Sequence, residues 1–186
     1  FDQLFVQNES ALEFMRGIGL EKICSISGDT RFDRVAAIAG RFEAIPLIGE
    51  FCGSNPVIVA GSTWPADEQV LEKAWNKLTH NPFKLIIAPH EITEKHIRDL
   101  LTLFQDAICF SAATPGQLTD KRILIIDNIG MLSRLYHYGW ITYVGGGMMK
   151  NGVHNVLEAA VYGKPVLFGP YYEKYTEAVG LVHHGG

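Results

Sequence analysis

Short apolar runs alternate with amphipathic segments along almost the whole chain. Eight runs are rich in Val and Ile and nearly continuous in apolar character, which is typical of parallel strands covered on both faces. They predict strands at residues 4–7, 23–27, 57–60, 84–88, 107–110, 123–127, 141–144 and 166–168.

Between these runs, apolar residues recur at helical spacing. They predict helices over residues 9–17, 32–43, 67–80 and 94–105. The third of these has Pro65 just before it and two acidic residues in its first turn, as the helix dipole favours. Strands and helices that alternate with short loops indicate right-handed βαβ units. The pattern therefore predicts an α/β fold, a Rossmann-like parallel sheet with helices on both faces.

The predicted strands divide the chain into two parts of different texture. Six strands follow from residue 57 onward, enough for one complete Rossmann-like domain over residues 56–186. Residues 1–55 hold two strands, two helices and a stretch at 45–56 that resembles a loop. We interpret them as the end of a preceding α/β domain plus a linker. The chain begins with Phe1 rather than Met, and we expect a fragment of a larger protein.

Composition narrows the function classes. The 186 residues are 47% hydrophobic and 19% charged, which supports a buried core and excludes a disordered chain. A net charge of -4 provides no basic field for a nucleic-acid backbone. Three scattered cysteines indicate neither a disulfide framework nor a zinc site. We expect a soluble chain in a reducing, cytoplasmic setting, without a membrane-spanning segment.

Ligands of open parallel sheets bind at the carboxyl ends of the strands, so the loops after the strands carry the candidate chemistry. Ser62 and Thr63 follow one strand and directly precede a helix. They suit either an anion-binding site or an ordinary helix N-cap. His90 follows the next strand and can donate to a phosphate or lie on the surface. His96, six residues further on, is at the wrong spacing to complete a metal pair.

A glycine-rich loop at residues 145–147 is followed by a polar segment that holds His154, Asn155 and Glu158. If this segment is helical, the three polar side chains share one face near its N-terminus. A carboxylate there can accept both hydroxyls of a ribose, or it can be an ordinary solvated first turn. Lys150 breaks the dinucleotide fingerprint and Pro165 breaks the Walker sequence, so the loop fits neither class.

Taken together, these segments resemble the 3-deoxy-D-manno-octulosonic acid (Kdo) transferases of Gram-negative bacteria. The matching segments occur in family order over nearly the whole chain. They are Ser-Gly-Asp-Thr-Arg-Phe-Asp at 27–33, Gly-Ser-Thr-Trp at 61–64, Ala-Pro-His-Glu at 88–91, Asp-Asn-Ile-Gly-Met-Leu at 127–132, Val-Gly-Gly-Gly at 144–147, Gly-Val-His-Asn-Val-Leu-Glu-Ala-Ala at 152–160 and Gly-Lys-Pro-Val at 163–166.

The resemblance implies the C-terminal, donor-binding half of a GT-B glycosyltransferase. Such an enzyme transfers Kdo with inversion from CMP-Kdo to the lipid A precursor, in lipopolysaccharide biosynthesis at the cytoplasmic face of the inner membrane. The family's general base is a glutamate of the N-terminal domain, so we expect no catalytic residue in this chain. Membrane contact would also belong to that missing half. No metal or other cofactor is expected.

The resemblance also assigns donor contacts. The CMP-binding positions are Pro89, His90, Ile129, Gly130, Met131, Asn155, Val156, Leu157 and Glu158. Ser62, Thr63, Gly146 and His154 are possible additional contacts. The chain differs from many members at two points, because Met131 replaces a glutamate and no arginine precedes His90. Lys150 or Lys174 could supply the missing positive charge.

Two other functions stay open at this stage. The chain could be the donor domain of another GT-B enzyme that uses a UDP-sugar, since the Glu158 segment also fits that wider class. It could instead be a Rossmann-like module that binds a partner and no nucleotide. A preference for CMP over UDP in binding would distinguish a Kdo transferase from a UDP-sugar enzyme. Binding of neither nucleotide would indicate the module that binds only a partner.

Overall fold

The structure is a computed structural model that describes residues 1–78 and 82–185. Its residue contacts group into two compact units, Phe1–Ala37 and Ile38–Gly186. In the first unit, strands β1 (Leu4–Val6) and β2 (Cys24–Ile26) pair in parallel. Helix α1 (Glu9–Gly17) connects them, and Asn8 caps it by accepting the N–H of Ala11 at 2.9 Å. A short 3₁₀ helix (Glu21–Ile23) precedes β2, and α2 (Thr30–Gly40) follows it.

The second unit contains the six remaining strands and six helices of the described chain. In order they are α3 (Pro46–Cys52), β3 (Val57–Thr63), α4 (Pro65–Lys77), β4 (Lys84–Pro89), α5 (Glu94–Leu103), β5 (Ala107–Cys109), β6 (Ile123–Ile125), α6 (Leu132–Leu135), β7 (Ile141–Val144), α7 (Leu157–Ala160), β8 (Val166–Phe168) and α8 (Thr176–His183). Short 3₁₀ helices lie at Phe110–Ala112 and Tyr136–Tyr138.

All six strands are parallel, in the order β5-β6-β4-β3-β7-β8. Helices cover both faces of the sheet. Since successive strand residues point to opposite faces, neighbouring residues of one strand pack in different core clusters. Ile86 packs with α3, α6, α7 and α8 residues in one core cluster. Its neighbours Leu85 and Ile87 pack with α4 and α5 residues in the other. The predicted fold class is confirmed.

The eight predicted strands are all present, with shifts of a few residues at their ends. The strand predicted at 57–60 continues to Thr63, and the strand predicted at 123–127 ends at Ile125. The helix predicted at 67–80 begins at Pro65 and ends at Lys77; the last two residues of the prediction lie outside the described residues.

The loop predicted at residues 45–56 is wrong, because α3 occupies most of it. Pro46 stands at the first helical position, where its missing N–H costs nothing. Ile48 and Phe51 are fully buried in the core of the second unit. Seven residues are too few for a helical period to stand out in the sequence, so only the buried packing identifies the helix.

Sheet order places a crevice between β3 and β7. From β3 the chain builds β4, β5 and β6 on one side, and β7 and β8 lie on the other. Open α/β sheets bind ligands at the carboxyl ends of the two strands where the order reverses in this way. The loops after β3 and β7 therefore form the centre of the candidate site.

Candidate nucleotide site

The glycine loop after β7 is tied to the start of α4 by a buried carboxylate. Asp67 is fully buried. Its Oδ2 accepts the backbone N–H groups of Trp64 and Gly146, both at 2.9 Å. Its Oδ1 accepts the hydroxyl of Tyr143 at 2.7 Å. The hydroxyl donates, so both this bond and burial raise the pKa of Tyr143, with burial the larger cause.

Two of the three loop amides are thus used inside the protein. Gly145 donates to the carbonyl of Gly61 at 2.9 Å, and Gly146 donates to Asp67. The glycines of this loop serve close packing of the chain. A Cβ on Gly145 would lie 2.2 Å from the carbonyl oxygen of Ser62, and one on Gly147 would lie 2.7 Å from the N of Gly169.

The hydroxyls after β3 face different surroundings. Thr63 is fully buried, and its Oγ1 donates to Glu68 Oε1 at 2.9 Å. Glu68 in turn lies 2.9 Å from His96 Nε2, and the side chain of Glu68 is buried while that of His96 is 11% exposed. Ser62 is half-buried with φ 52°, in the left-handed region. Of the two hydroxyls, that of Ser62 is the one left available to an anion.

Three aromatic rings meet above this edge of the sheet. The Trp64 ring stacks on His90 with centroids 4.8 Å apart, and His90 stacks on His154 at 4.2 Å. The Trp64 indole N–H donates to His154 Nε2 at 2.8 Å. Burial and the nearby His90 lower the pKa of His154, and the charge of Asp67 opposes them. The structure therefore brings together two predicted site residues from different loops.

Asn155 and Glu158 also lie together, but not on one helix as the pattern suggested. Helix α7 begins only at Leu157, and Asn155 lies before it. The Asn155 side chain accepts the N–H of Leu157 at 3.2 Å and donates to Glu158 Oε1 at 3.3 Å. Asn155 thus closes an Asx turn just before α7 and orients the carboxylate. Val156 and Leu157 are buried between them.

The Glu158 carboxylate affects two tyrosines behind it. Burial, and secondarily the charge of Glu158, raise the pKa of both Tyr136 and Tyr162. Glu158 itself is half-buried. A half-buried carboxylate that keeps an exposed part is suited to accepting hydroxyl donors from a ligand.

The segment after β6 presents backbone rather than side chains. Gly130 has φ 95°, Ile129 is 91% exposed and Met131 is buried in the core. The Asp127 carboxylate before this segment accepts both the N–H and the hydroxyl of Ser111. Because β6 pairs in parallel with β4, this segment lies at the same end of the sheet as Pro89. Among the described hydrogen bonds and ring pairs, none joins this segment to the Glu158 segment.

The tyrosines at 171–175 support the glycine loop. Helix α8 begins only at Thr176. The N–H of Tyr171 donates to the carbonyl of Gly147 at 3.0 Å, and the Tyr175 hydroxyl donates to the carbonyl of Asn151 at 2.9 Å. Lys174 Nζ donates to the carbonyl of Lys150 at 3.3 Å, so both lysines lie beside this loop.

Sequence reasoning missed Trp64 and Asp67 as parts of the site. Asp67 suits the first turn of a helix through the helix dipole, but the sequence pattern carries no signal of its burial. In residues 1–78 and 82–185, no three or more His, Cys, Asp or Glu side chains are placed to hold a metal ion. Nor does any helix in those ranges have the length and apolar character needed to cross a membrane.

Comparison with known sequences identifies relatives that match most of this chain. No protein-family profile matches the chain. A 3-deoxy-D-manno-octulosonic acid transferase of Aquifex aeolicus is 30% identical over 180 residues, which cover 95% of this chain and 46% of that protein. A transferase of the same name from Rickettsia typhi is 25% identical and is matched over 40% of its length. The chain thus spans less than half the length of these relatives.

Two solved structures share the fold. The C-terminal CMP-Kdo binding domain of WaaA from Acinetobacter baumannii superposes with a TM-score of 0.61 at 19% identity, over 82% of this chain and 77% of that one. A Listeria monocytogenes protein described as a UDP-N-acetylglucosamine 2-epimerase gives a TM-score of 0.55 at 12% identity, over 100% of this chain and 50% of that one. At these identities the likeness concerns the fold.

Proposed function

We propose that this chain, which is homologous to the Kdo transferases, is the donor-binding half of an enzyme that transfers Kdo from CMP-Kdo to the lipid A precursor. The observation that carries the proposal is the Asn155–Glu158 pair, set behind the glycine loop where the order of the sheet reverses. The relatives from Aquifex aeolicus and Rickettsia typhi match 95% and 99% of this chain. The domain division 1–55 and 56–186 belongs to the same proposal.

Glu158 would bind the ribose of the nucleotide. An ionised carboxylate only accepts hydrogen bonds, and its two oxygens match two neighbouring hydroxyls. Asn155 fixes one of the oxygens through its Nδ2, which limits the freedom that binding would otherwise have to remove. Val156 and Leu157 are buried, so they would contribute backbone groups to this contact.

The anionic groups of the donor would lie toward His90 and the segment after β6. His90 is exposed and held by stacking, so it can donate to the phosphate or to the Kdo carboxylate. Pro89 ends the buried strand that positions it. Around Gly130 the ligand would meet backbone N–H groups and the exposed Ile129, since the Met131 side chain is buried.

Four further residues border the proposed donor site. Ser62 keeps an available hydroxyl, and His154 lies against His90. Thr63 and the amide of Gly146 are engaged inside the protein, so they would shape the site rather than bind the ligand.

In the transfer, the bond between Kdo and the CMP phosphate breaks while an acceptor hydroxyl bonds to the same sugar carbon. The acceptor proton must go to a base, which we expect from the N-terminal part of the full-length protein. Donors around the phosphate stabilise the charge that develops on the departing CMP. Acceptor binding and contact with the cytoplasmic face of the inner membrane would also belong to that part. The reaction as proposed uses no metal.

The test is ligand-induced stabilisation of this chain by CMP, with UDP and NAD as comparisons. A ligand at 100 times its Kd stabilises the fold by about 2.7 kcal/mol. For a chain of this size that raises Tm by roughly 5–10 °C. We expect the effect with CMP and a loss of about tenfold or more in affinity for Glu158→Gln, since one oxygen acceptor becomes a donor group.

Glu94→Gln is the matched control, because the Glu94 side chain is 93% exposed on α5. It should leave CMP binding unchanged. Equal or greater stabilisation by UDP than by CMP would contradict the hypothesis that this chain binds CMP-Kdo. It would favour a UDP-sugar enzyme of the same fold. No stabilisation by any nucleotide at millimolar concentration would contradict donor binding by this chain.

A further inference from the structure

Trp64 contacts both predicted histidines of the site and forms a hydrogen bond to one of them. Its indole N–H donates to His154 Nε2 at 2.8 Å, and its ring stacks on His90. The three rings are nearly parallel, with interplanar angles of 28°, 18° and 13°. No family position derived from the sequence assigns a role to this tryptophan.

The indole N–H fixes the proton on His154. An indole nitrogen is a donor only, so the His154 Nε2 that faces it must be the acceptor and carries no hydrogen. A neutral imidazole has one N–H, which therefore lies on Nδ1. The hydrogen bond thus specifies one tautomer of the ring.

The same bond opposes protonation of His154. An imidazolium would place an Nε2–H against the indole N–H, two donors facing each other across 2.8 Å. The titratable groups that face His154 are His90 and Asp67. The Asp67 carboxylate is already occupied by Trp64, Gly146 and Tyr143, and a charge on His90, 4.2 Å away, would repel a second one. Burial acts in the same direction.

We propose that Trp64 is a positioning residue that holds His154, the ring stacked on His90, as its neutral Nδ1–H tautomer. His90 is the exposed member of the pair. The consequence for ligand binding rests on the proposed function, because His154 lies against His90, which would face the anionic groups of the donor. The tautomer itself does not depend on that function.

The test is the two-bond ¹H–¹⁵N spectrum of the imidazoles in the ¹⁵N-labelled chain, titrated with pH. This spectrum separates a protonated ring nitrogen from an unprotonated one. We expect His154 with a protonated Nδ1 and an unprotonated Nε2. In Trp64→Phe, which keeps an aromatic ring but lacks the N–H, the proton affinity of His154 should rise about fivefold and the tautomer preference should weaken.

Trp140→Phe is the matched control, since Trp140 is 58% exposed and its ring stacks on Phe83 away from His154. It should leave the His154 signals unchanged. A wild-type spectrum with the proton on Nε2 would overturn the proposal, even if Trp64→Phe does not fold. A folded Trp64→Phe variant with the wild-type tautomer and titration would overturn it as well.

CMP titrations separate this proposal from the proposed function. We expect Trp64→Phe to bind CMP about threefold to tenfold more weakly than the wild type, with Trp140→Phe unchanged. A chain that shows the expected tautomer but does not bind CMP would contradict the proposed function and still support the role of Trp64. CMP affinity unaltered in Trp64→Phe would contradict the effect on the donor.

Discussion

The carboxylate of Asp67 accepts the backbone N–H of Gly146, 2.9 Å away and 79 positions along the chain. This bond joins the first turn of α4 to the loop after β7, the two elements that border the crevice of the sheet. The amide of Trp64 and the hydroxyl of Tyr143 converge on the same carboxylate. The walls of the candidate site are therefore held in register by one buried side chain.

Asp67→Ala should destabilise the second unit by about 3–5 kcal/mol, because it leaves three donors, two of them buried, without their acceptor. Asp67→Asn should cost less, since its remaining carbonyl oxygen can still accept from one or two of them. Urea unfolding followed by circular dichroism measures both. Asp106→Asn, at an exposed position, is the control and should change the free energy of unfolding by less than about 0.5 kcal/mol.

Gly147→Ala should lower stability by about 2 kcal/mol or more. The new Cβ would lie 2.7 Å from the backbone of Gly169, and neither chain segment can move without disturbing the loop. Gly180→Ala supplies the contrast, because it stands inside α8 with no heavy atom within 4 Å of the new Cβ. There alanine should leave stability unchanged or raise it by up to about 1 kcal/mol. Equal losses in the two variants would contradict the close-packing role of Gly147.

Phe51→Ala should destabilise the chain by about 3–5 kcal/mol, since the ring is fully buried against the sheet. Phe14→Ala removes the same atoms from a side chain that is 68% exposed, and should cost less than about 1 kcal/mol. Thermal or urea unfolding compares the two. A small effect at Phe51 would mean that α3 is not part of the core.

Asn155 has two roles that substitution can separate. Asn155→Ser can still accept the N–H of Leu157 through its hydroxyl but cannot reach Glu158 with an amide, whereas Asn155→Ala loses both contacts. We expect CMP affinity to fall by about fivefold in both, and stability to fall by about 1 kcal/mol only in Asn155→Ala. Wild-type CMP affinity in Asn155→Ser would show that the amide does not orient the carboxylate.

The strands could be predicted from the sequence because each is a continuous apolar run. Val57, Ile86 and Leu124 lie in buried parallel strands, and such burial leaves no polar alternation to confuse the assignment. The relationship to the Kdo transferases, stated from ordered motifs, is confirmed by relatives that match nearly the whole chain. Helix α3 escaped prediction because its two deeply buried residues lie in a segment too short to show a period.

The inner contacts of the site could not be predicted, for a physical reason. Asp67 and Glu68 in a first helical turn satisfy the helix dipole whether they are exposed or buried, so sequence spacing does not distinguish the two cases. Their burial follows from the approach of β7 and α5, which supply Tyr143, Gly146 and His96 as partners. The donor contacts around Ile129, Gly130 and Met131 stay predictions.

Acid should weaken the fold partly through His154. In the unfolded chain its pKa is about 6.5, and in the folded chain burial and the neighbouring His90 lower it. Between these two values the unfolded state binds the extra proton, so the free energy of unfolding falls as pH decreases below about 6.5. The stabilisation is fully present above that pH.

His137, whose pKa is also lowered by burial and by Lys164, adds a loss of the same sign. Urea unfolding at pH 7.5 and pH 5 should therefore show a smaller acid loss for His154→Gln than for the wild type. His183→Gln, at an exposed position of α8, should keep the wild-type loss. Equal losses of stability in acid for His154→Gln and the wild type would contradict a lowered pKa of His154 in the folded chain. They would mean that neither burial nor the Trp64 contact disfavours protonation of this ring.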